Sequence, residues 1–264
     1  MGTHGTTVLM YHRVGDARNA WESRYAIGAE AFWAHMDALE RAGYRAVPVD
    51  ALCASLEGGS PLPENAFVLT FDDGFRGVRE HALPVLEERG WPFTVFLVSG
   101  LIGGADVWTR ESNPDGRTYP LLDADEILDM QRRGVSFHSH TRSHASLPTL
   151  DDGELERELG DSRSALESLL GREVRYLAYP FGHLDERVVA ATRLAGYRAA
   201  FSTQPGFNRR NVNPFRIRRI DIYGTDTPAM LLRKMRFGTN DGRVTTLLRY
   251  YAARFRARLA PRAS

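Results

Sequence analysis

Seven short apolar runs recur through the chain, and their spacing limits its fold more than any other feature. They are Thr6–Tyr11, Ala66–Phe71, Phe93–Val98, Gly134–His138, Val174–Tyr179, Tyr197–Ser202 and Phe215–Ile222. Most are apolar almost without interruption, which is the pattern of strands buried on both faces. Between them lie Ala29–Ala42, Gly77–Arg89, Ala124–Arg133, Asp151–Leu170 and Asp185–Ala195, with apolar residues at helical spacing. Each is followed at once by glycine, the usual left-handed helix stop. Asp151 and Asp152 are N-cap candidates. Strand and helix alternate about seven times in roughly 240 residues, which predicts an α/β fold: a distorted (β/α)7-type barrel with a parallel sheet, in a single domain. No GxGxxG or GxxxxGK[ST] follows any of the runs, so dinucleotide and P-loop folds are disfavoured.

Composition narrows the function classes. At 264 residues, with 43% hydrophobic and 25% charged side chains, the chain has ample core and is neither disordered, collagen-like nor coiled-coil. A net charge of +1 gives no global pull toward nucleic acid. Lys234 is the only lysine among 34 basic residues. A single cysteine, Cys53, excludes a disulfide framework and any cysteine-built metal cluster. Any metal must therefore be held by His and Asp.

Polar residues gather at the C-terminal ends of the predicted strands, where β/α folds place active sites. Thr70-Phe71-Asp72-Asp73-Gly74 sets two carboxylates side by side, an arrangement that is expensive to desolvate without a cation. Strand alternation lets one bind metal while the other faces substrate; a solvated turn is the plainer reading. In His138-Ser139-His140-Thr141-Arg142-Ser143-His144, His140 and His144 can converge on a metal from one helical turn. His138 and His140 are the competing pair if the strand continues. Tyr11-His12-Arg13 places a histidine at the end of the first strand. Ala178-Tyr179-Pro180-Phe181-Gly182 can present a backbone N–H to a developing oxyanion, or can simply end its strand. One Asp and two His leave open positions on a divalent ion, as a catalytic site requires.

TFDDG, then HSHTRSH, then YPFG resembles the polysaccharide deacetylases of carbohydrate esterase family 4, which share the NodB homology domain. The resemblance runs from about Thr7 to Leu232. The VLMYHRV element, Arg24–Ile27, Phe32 and Gly43-Tyr44 are similar to the subgroup that deacetylates poly-N-acetylglucosamine, in which the acid histidine lies near the N-terminus. The resemblance implies that Asp73, His140 and His144 hold a divalent metal, usually zinc. It implies Asp72 as the base for the attacking water, the Phe181 N–H as an oxyanion donor and His12 as the acid for the leaving amine. Many members carry Arg-Pro-Pro-Phe/Tyr-Gly where this chain has Ala178–Gly182, so the arginine that orients the base is missing there. Arg219, on a different predicted strand, is the proposed replacement; a strand-end surface charge is the alternative.

Sugar sites also need aromatic platforms. Trp108 and Tyr119 in the long loop 100–122, Trp21 in the loop after His12, and Tyr179 are the candidates, while Trp91 is expected in the core. The expected substrate is an N-acetylated glycan or glycolipid, with O-deacetylation of a sugar ester and a non-catalytic sugar-binding module as alternatives. The expected domain layout is a barrel over 1–240 and a basic amphipathic helix or tail over 241–264. That helix can rest on an anionic membrane or pack as an ordinary last helix. The N-terminus has no signal-peptide pattern, which gives an expectation of cytoplasmic location, peripheral to the membrane if the tail binds it.

Overall fold

Each of the seven apolar runs supplies a strand to one all-parallel sheet. The structure, a computed structural model, describes residues 5–245. In chain order the elements are β1 (Thr7–Tyr11), β2 (Arg13–Val14), β3 (Ala26–Ile27), α1 (Ala29–Arg41), β4 (Arg45–Ala46), α2 (Val49–Leu56), β5 (Ala66–Phe71), α3 (Leu83–Glu88), β6 (Thr94–Leu97), α4 (Ala124–Arg132), β7 (Ser136–Ser139), α5 (Asp152–Glu156), α6 (Ser162–Leu170), β8 (Tyr176–Ala178), α7 (Glu186–Leu194), β9 (Ala199–Phe201), β10 (Ile220–Asp221) and α8 (Pro228–Phe237). The strand order is β10-β1-β5-β6-β7-β8-β9, with β4 beside the start of β5. Ile217 bridges back to Phe201, so the stretch between β9 and β10 ties together the two ends of a curled, barrel-like sheet.

The apolar continuity of the strands follows from two separate cores. Leu9, Phe67, Leu69, Val95, Phe137 and Leu177 pack outward against α1, α3, α4, α6, α7 and α8. Their neighbours Val8, Val68, Phe96, Tyr176, Ala178 and Phe201 face inward and meet α2, through Val49, Leu52 and Cys53. Alternation thus sends every second residue into the barrel. Toward the C-terminal end of the strands the inward series turns polar: Thr70, His138 and Arg219 are all buried.

The helices differ from the sequence expectation in four places. The 151–170 helix starts on an Asp151 capping box with Glu154, but a wider turn at Arg157–Asp161 divides α5 from α6. In 77–89 a similar turn precedes Pro84, and regular helix begins only at Leu83. Neither α2 nor α8 was expected. Among the described residues no helix is long and apolar enough to cross a membrane. Most of the predicted basic C-terminal segment, from residue 246 onward, lies outside the described residues.

Candidate active site

β1, β5, β7 and β10 deliver polar side chains to one cavity of about 800 Å3 at the C-terminal ends of the strands. The two adjacent aspartates diverge because the backbone changes between them. Asp72 still belongs to the ladder: its N–H donates to the Tyr11 carbonyl at 2.9 Å. Asp73 leaves the ladder with φ of +73°.

Arg219 clamps Asp72. Its Nη1 and Nη2 donate to the two carboxylate oxygens at 2.6 and 2.7 Å, and its Nε donates to the Ser202 carbonyl at 3.0 Å. Both side chains are buried. Burial works against ionising Asp72, but the Arg219 guanidinium outweighs it, aided by His140 and His12, and holds the carboxyl below its usual range. The arginine absent from 178–182 thus has a counterpart in Arg219, immediately before β10 at one end of the sheet.

Asp73, His140 and His144 bring three ligand atoms within 4.8 Å of one another. Asp73 Oδ1 lies 3.4 Å from His140 Nε2 and 3.3 Å from His144 Nε2. That oxygen is buried and accepts no hydrogen bond. His140 Nδ1 sits 2.7 Å from the Ala178 carbonyl. A carbonyl only accepts, so the proton is on Nδ1 and the Nε2 lone pair faces the aspartate. Burial pushes His140 down to about 4, which keeps the ring neutral. For Asp73, burial is outweighed by His144 and then by His12 and His140, and the carboxyl falls to about 2. One carboxylate and two imidazoles facing a common point fit a divalent cation of the zinc class.

The HxxxH element is not a helical turn. His140 ends the strand ladder, and the chain returns to His144 through a loop with Thr141 at φ +67° and His144 at φ +64°. Glu158 fixes that loop by accepting the Arg142 and Ser143 N–H groups at 3.0 and 2.9 Å. His138 does not join the cluster. It faces the same interior one layer lower, wholly buried against Phe96 and Tyr176. Five non-glycine residues among those described have positive φ, and four of them, Asp73, Thr141, His144 and Phe181, are here. Such strain concentrates at functional sites.

His12 follows β1 and lines the cavity with its ring edge-on to Tyr25 at 5.5 Å. Phe181 has φ of +59°. The N–H groups of Gly182 and His183 close its turn, and the Phe181 amide takes no part in that closure. Its exposed ring packs on His144.

The aromatic candidates separate. Trp21 lines the cavity beside Tyr25, 5.3 Å away. Trp108 also lines it, with one face stacked on His144 at 4.4 Å. Tyr179 is not a substrate platform: its side chain is fully buried in the outer core and its hydroxyl donates to the Phe215 carbonyl. The face of Tyr119 is covered by the Arg13 guanidinium, 3.6 Å from its centroid.

Two carboxylates in the cavity wall escaped the sequence reading. Asp221 follows Arg219 by two residues, so alternation alone would have placed it on the same face. It accepts from Asn240 Nδ2 at 3.0 Å, and burial raises its carboxyl above the usual range. Asp106, in the long loop, accepts from the Tyr119 N–H and the Thr109 hydroxyl, yet burial still pushes it up to about 6. No local pattern marked it.

Comparison with known proteins adds three findings. Residues 59–200 match the family model for polysaccharide deacetylases. The Bacillus subtilis protein YxkH is 25% identical over 215 residues, 81% of this chain and 70% of that protein. A Staphylococcus aureus poly-beta-1,6-N-acetyl-D-glucosamine N-deacetylase is 22% identical over 170 residues, 61% of this chain and 56% of that enzyme. Among solved structures, IcaB from Ammonifex degensii superposes with a TM-score of 0.71 at 28% identity, covering 83% of this chain and 92% of that one.

Proposed function

Because this chain belongs to the polysaccharide deacetylase family, we propose that it removes N-acetyl groups from an N-acetylhexosamine glycan, using a divalent ion held by Asp73, His140 and His144. Poly-N-acetylglucosamine is the favoured substrate, on the strength of the named activity of the Staphylococcus aureus relative. The observation that carries the reading is the contrast between two adjacent aspartates. One is clamped in both oxygens by a buried arginine; the other faces two histidines with an unpartnered oxygen.

An amide is a poor electrophile with a poor leaving group, so its hydrolysis needs three kinds of help. When bound, a divalent ion such as zinc polarises the carbonyl and acidifies water. Asp72 accepts the proton of the attacking water, and Arg219 keeps it ionised and aimed. The Phe181 N–H donates to the oxygen on which charge develops. His12 gives a proton to the departing nitrogen, so that acetate and a free amine result.

The test is acetate release from N-acetylglucosamine oligomers, before and after chelation and with zinc restored. Expected are equal amounts of acetate and free amine, loss of activity on chelation, and recovery with the metal. Asp72→Asn should lower turnover by about 10²–10⁴-fold. If the metal-loaded protein releases no acetate from any N-acetylated glycan, the reading fails.

A further inference from the structure

Glu22 is buried, yet it lies on no strand of the sheet and touches none of the groups assigned to the reaction. What it touches are four donors. Arg13 Nη2 and the Arg18 N–H reach Oε2 at 3.0 and 2.8 Å. Asn113 Nδ2 reaches Oε1 at 3.0 Å, and the Tyr119 hydroxyl lies 2.7 Å from each oxygen. Two donors come from the segment after His12, and two come from the long loop more than ninety residues later. Around this centre the same two segments join again: Asn19 Nδ2 donates to Asn113 Oδ1 and to Asp115 Oδ2, both at 3.0 Å.

These segments are the two aromatic walls of the cleft. One carries Trp21 and Tyr25, the second packed on His12. The other carries Trp108, stacked on His144. We infer that Glu22 is a positioning residue that fixes one wall to the other and so sets the width of the glycan-binding cleft. The inference rests on the proposed function for the identity of the ligand, but not for the link between the walls. The chemistry demands a carboxylate. All four partners donate, so an amide in its place must turn its own N–H2 against a donor. Hydrogen bonds from the Arg18 N–H, Tyr119 and Asn113, with the charge of Arg13, together outweigh burial and hold the Glu22 carboxyl below its usual range, ionised at neutral pH.

Glu22→Gln and the milder Tyr119→Phe test this in the full chain, by amide hydrogen exchange and by steady-state kinetics on an N-acetylglucosamine tetramer. In Glu22→Gln, exchange should quicken in both segments, 13–25 and 106–119. KM for the tetramer should rise about tenfold, with kcat changing much less. Tyr119→Phe should move the same quantities in the same direction by less. Faster exchange in only one segment, or in neither, overturns the inference. So does a parallel fall in kcat and bound zinc, since that marks a general loss of structure. If the wild-type protein proves inactive on every glycan, the proposed function fails alone, and the exchange measurement still decides whether Glu22 couples the walls.

Discussion

Asp72 and Asp73 carry the same carboxyl group one residue apart, and their surroundings assign them different tasks. Arg219 is what separates them, so its removal has a signed consequence. Without the guanidinium, burial is the dominant remaining influence on Asp72 and raises its pKa. Activity that needs the ionised carboxylate then requires higher pH. Arg219→Ala should therefore shift the acidic limb of the kcat/KM profile upward and lower the plateau by about 10²-fold. Arg219→Lys should recover little, because a point charge cannot hold both oxygens. A pH–rate profile checks both variants. Stability should fall as well, by about 3–5 kcal/mol, since a buried charge loses its partner. The two aspartates were legible in the sequence because TFDDG at a strand end is a compact local signal. The Asp72–Arg219 pair spans 147 residues, and its sequence sign was indirect: an arginine missing from 178–182 and another on a different predicted strand. Tyr179 was misread for a simple reason. Alternation from the inward Ala178 sends it outward into the helix-facing core.

At the level of elements, the backbone around the site matters as much as its side chains. Gly182 has φ of +69°, and a Cβ there would lie 2.0 Å from Thr203 Oγ1. Gly182→Ala should therefore displace the Phe181 turn. The expected result is a loss of about 2–3 kcal/mol in thermal or denaturant unfolding, and a fall in kcat larger than the change in KM, because an oxyanion donor acts in the transition state. Strands and most helices were legible because their periodicities are local. The HxxxH loop was not, because an i, i+4 histidine pair looks the same on a helical turn and on a left-handed loop. Only the Glu158 anchor, fourteen residues beyond His144 in sequence, distinguishes them. α2 was missed although it plugs the inner core. With eight residues it is too short for a clear helical period.

For the whole molecule, three buried histidines weaken stability on the acid side. Burial pushes His35 and His138 below the usual value of 6.5, His138 far below it, and takes His140 to about 4. The unfolded chain binds these protons near pH 6.5, whereas the folded chain does not until much lower pH. Their contribution to stability is therefore intact above about pH 6.5 and is lost as the pH drops toward 4. His138 contributes without any return, since neither ring nitrogen has a partner. His138→Phe should raise the melting temperature, and by more at pH 5 than at pH 7.5, which calorimetry across pH can measure. The closing stretch between β9 and β10 carries a consequence for how the protein is made. A nascent chain that has emerged through Ala178 already holds His12, both aspartates and both ligand histidines. Asp72 has no buried positive partner at that stage, because Arg219 comes later in the chain than Ala178. Asp72 thus gains the arginine that holds it ionised only when the stretch that closes the barrel is in place.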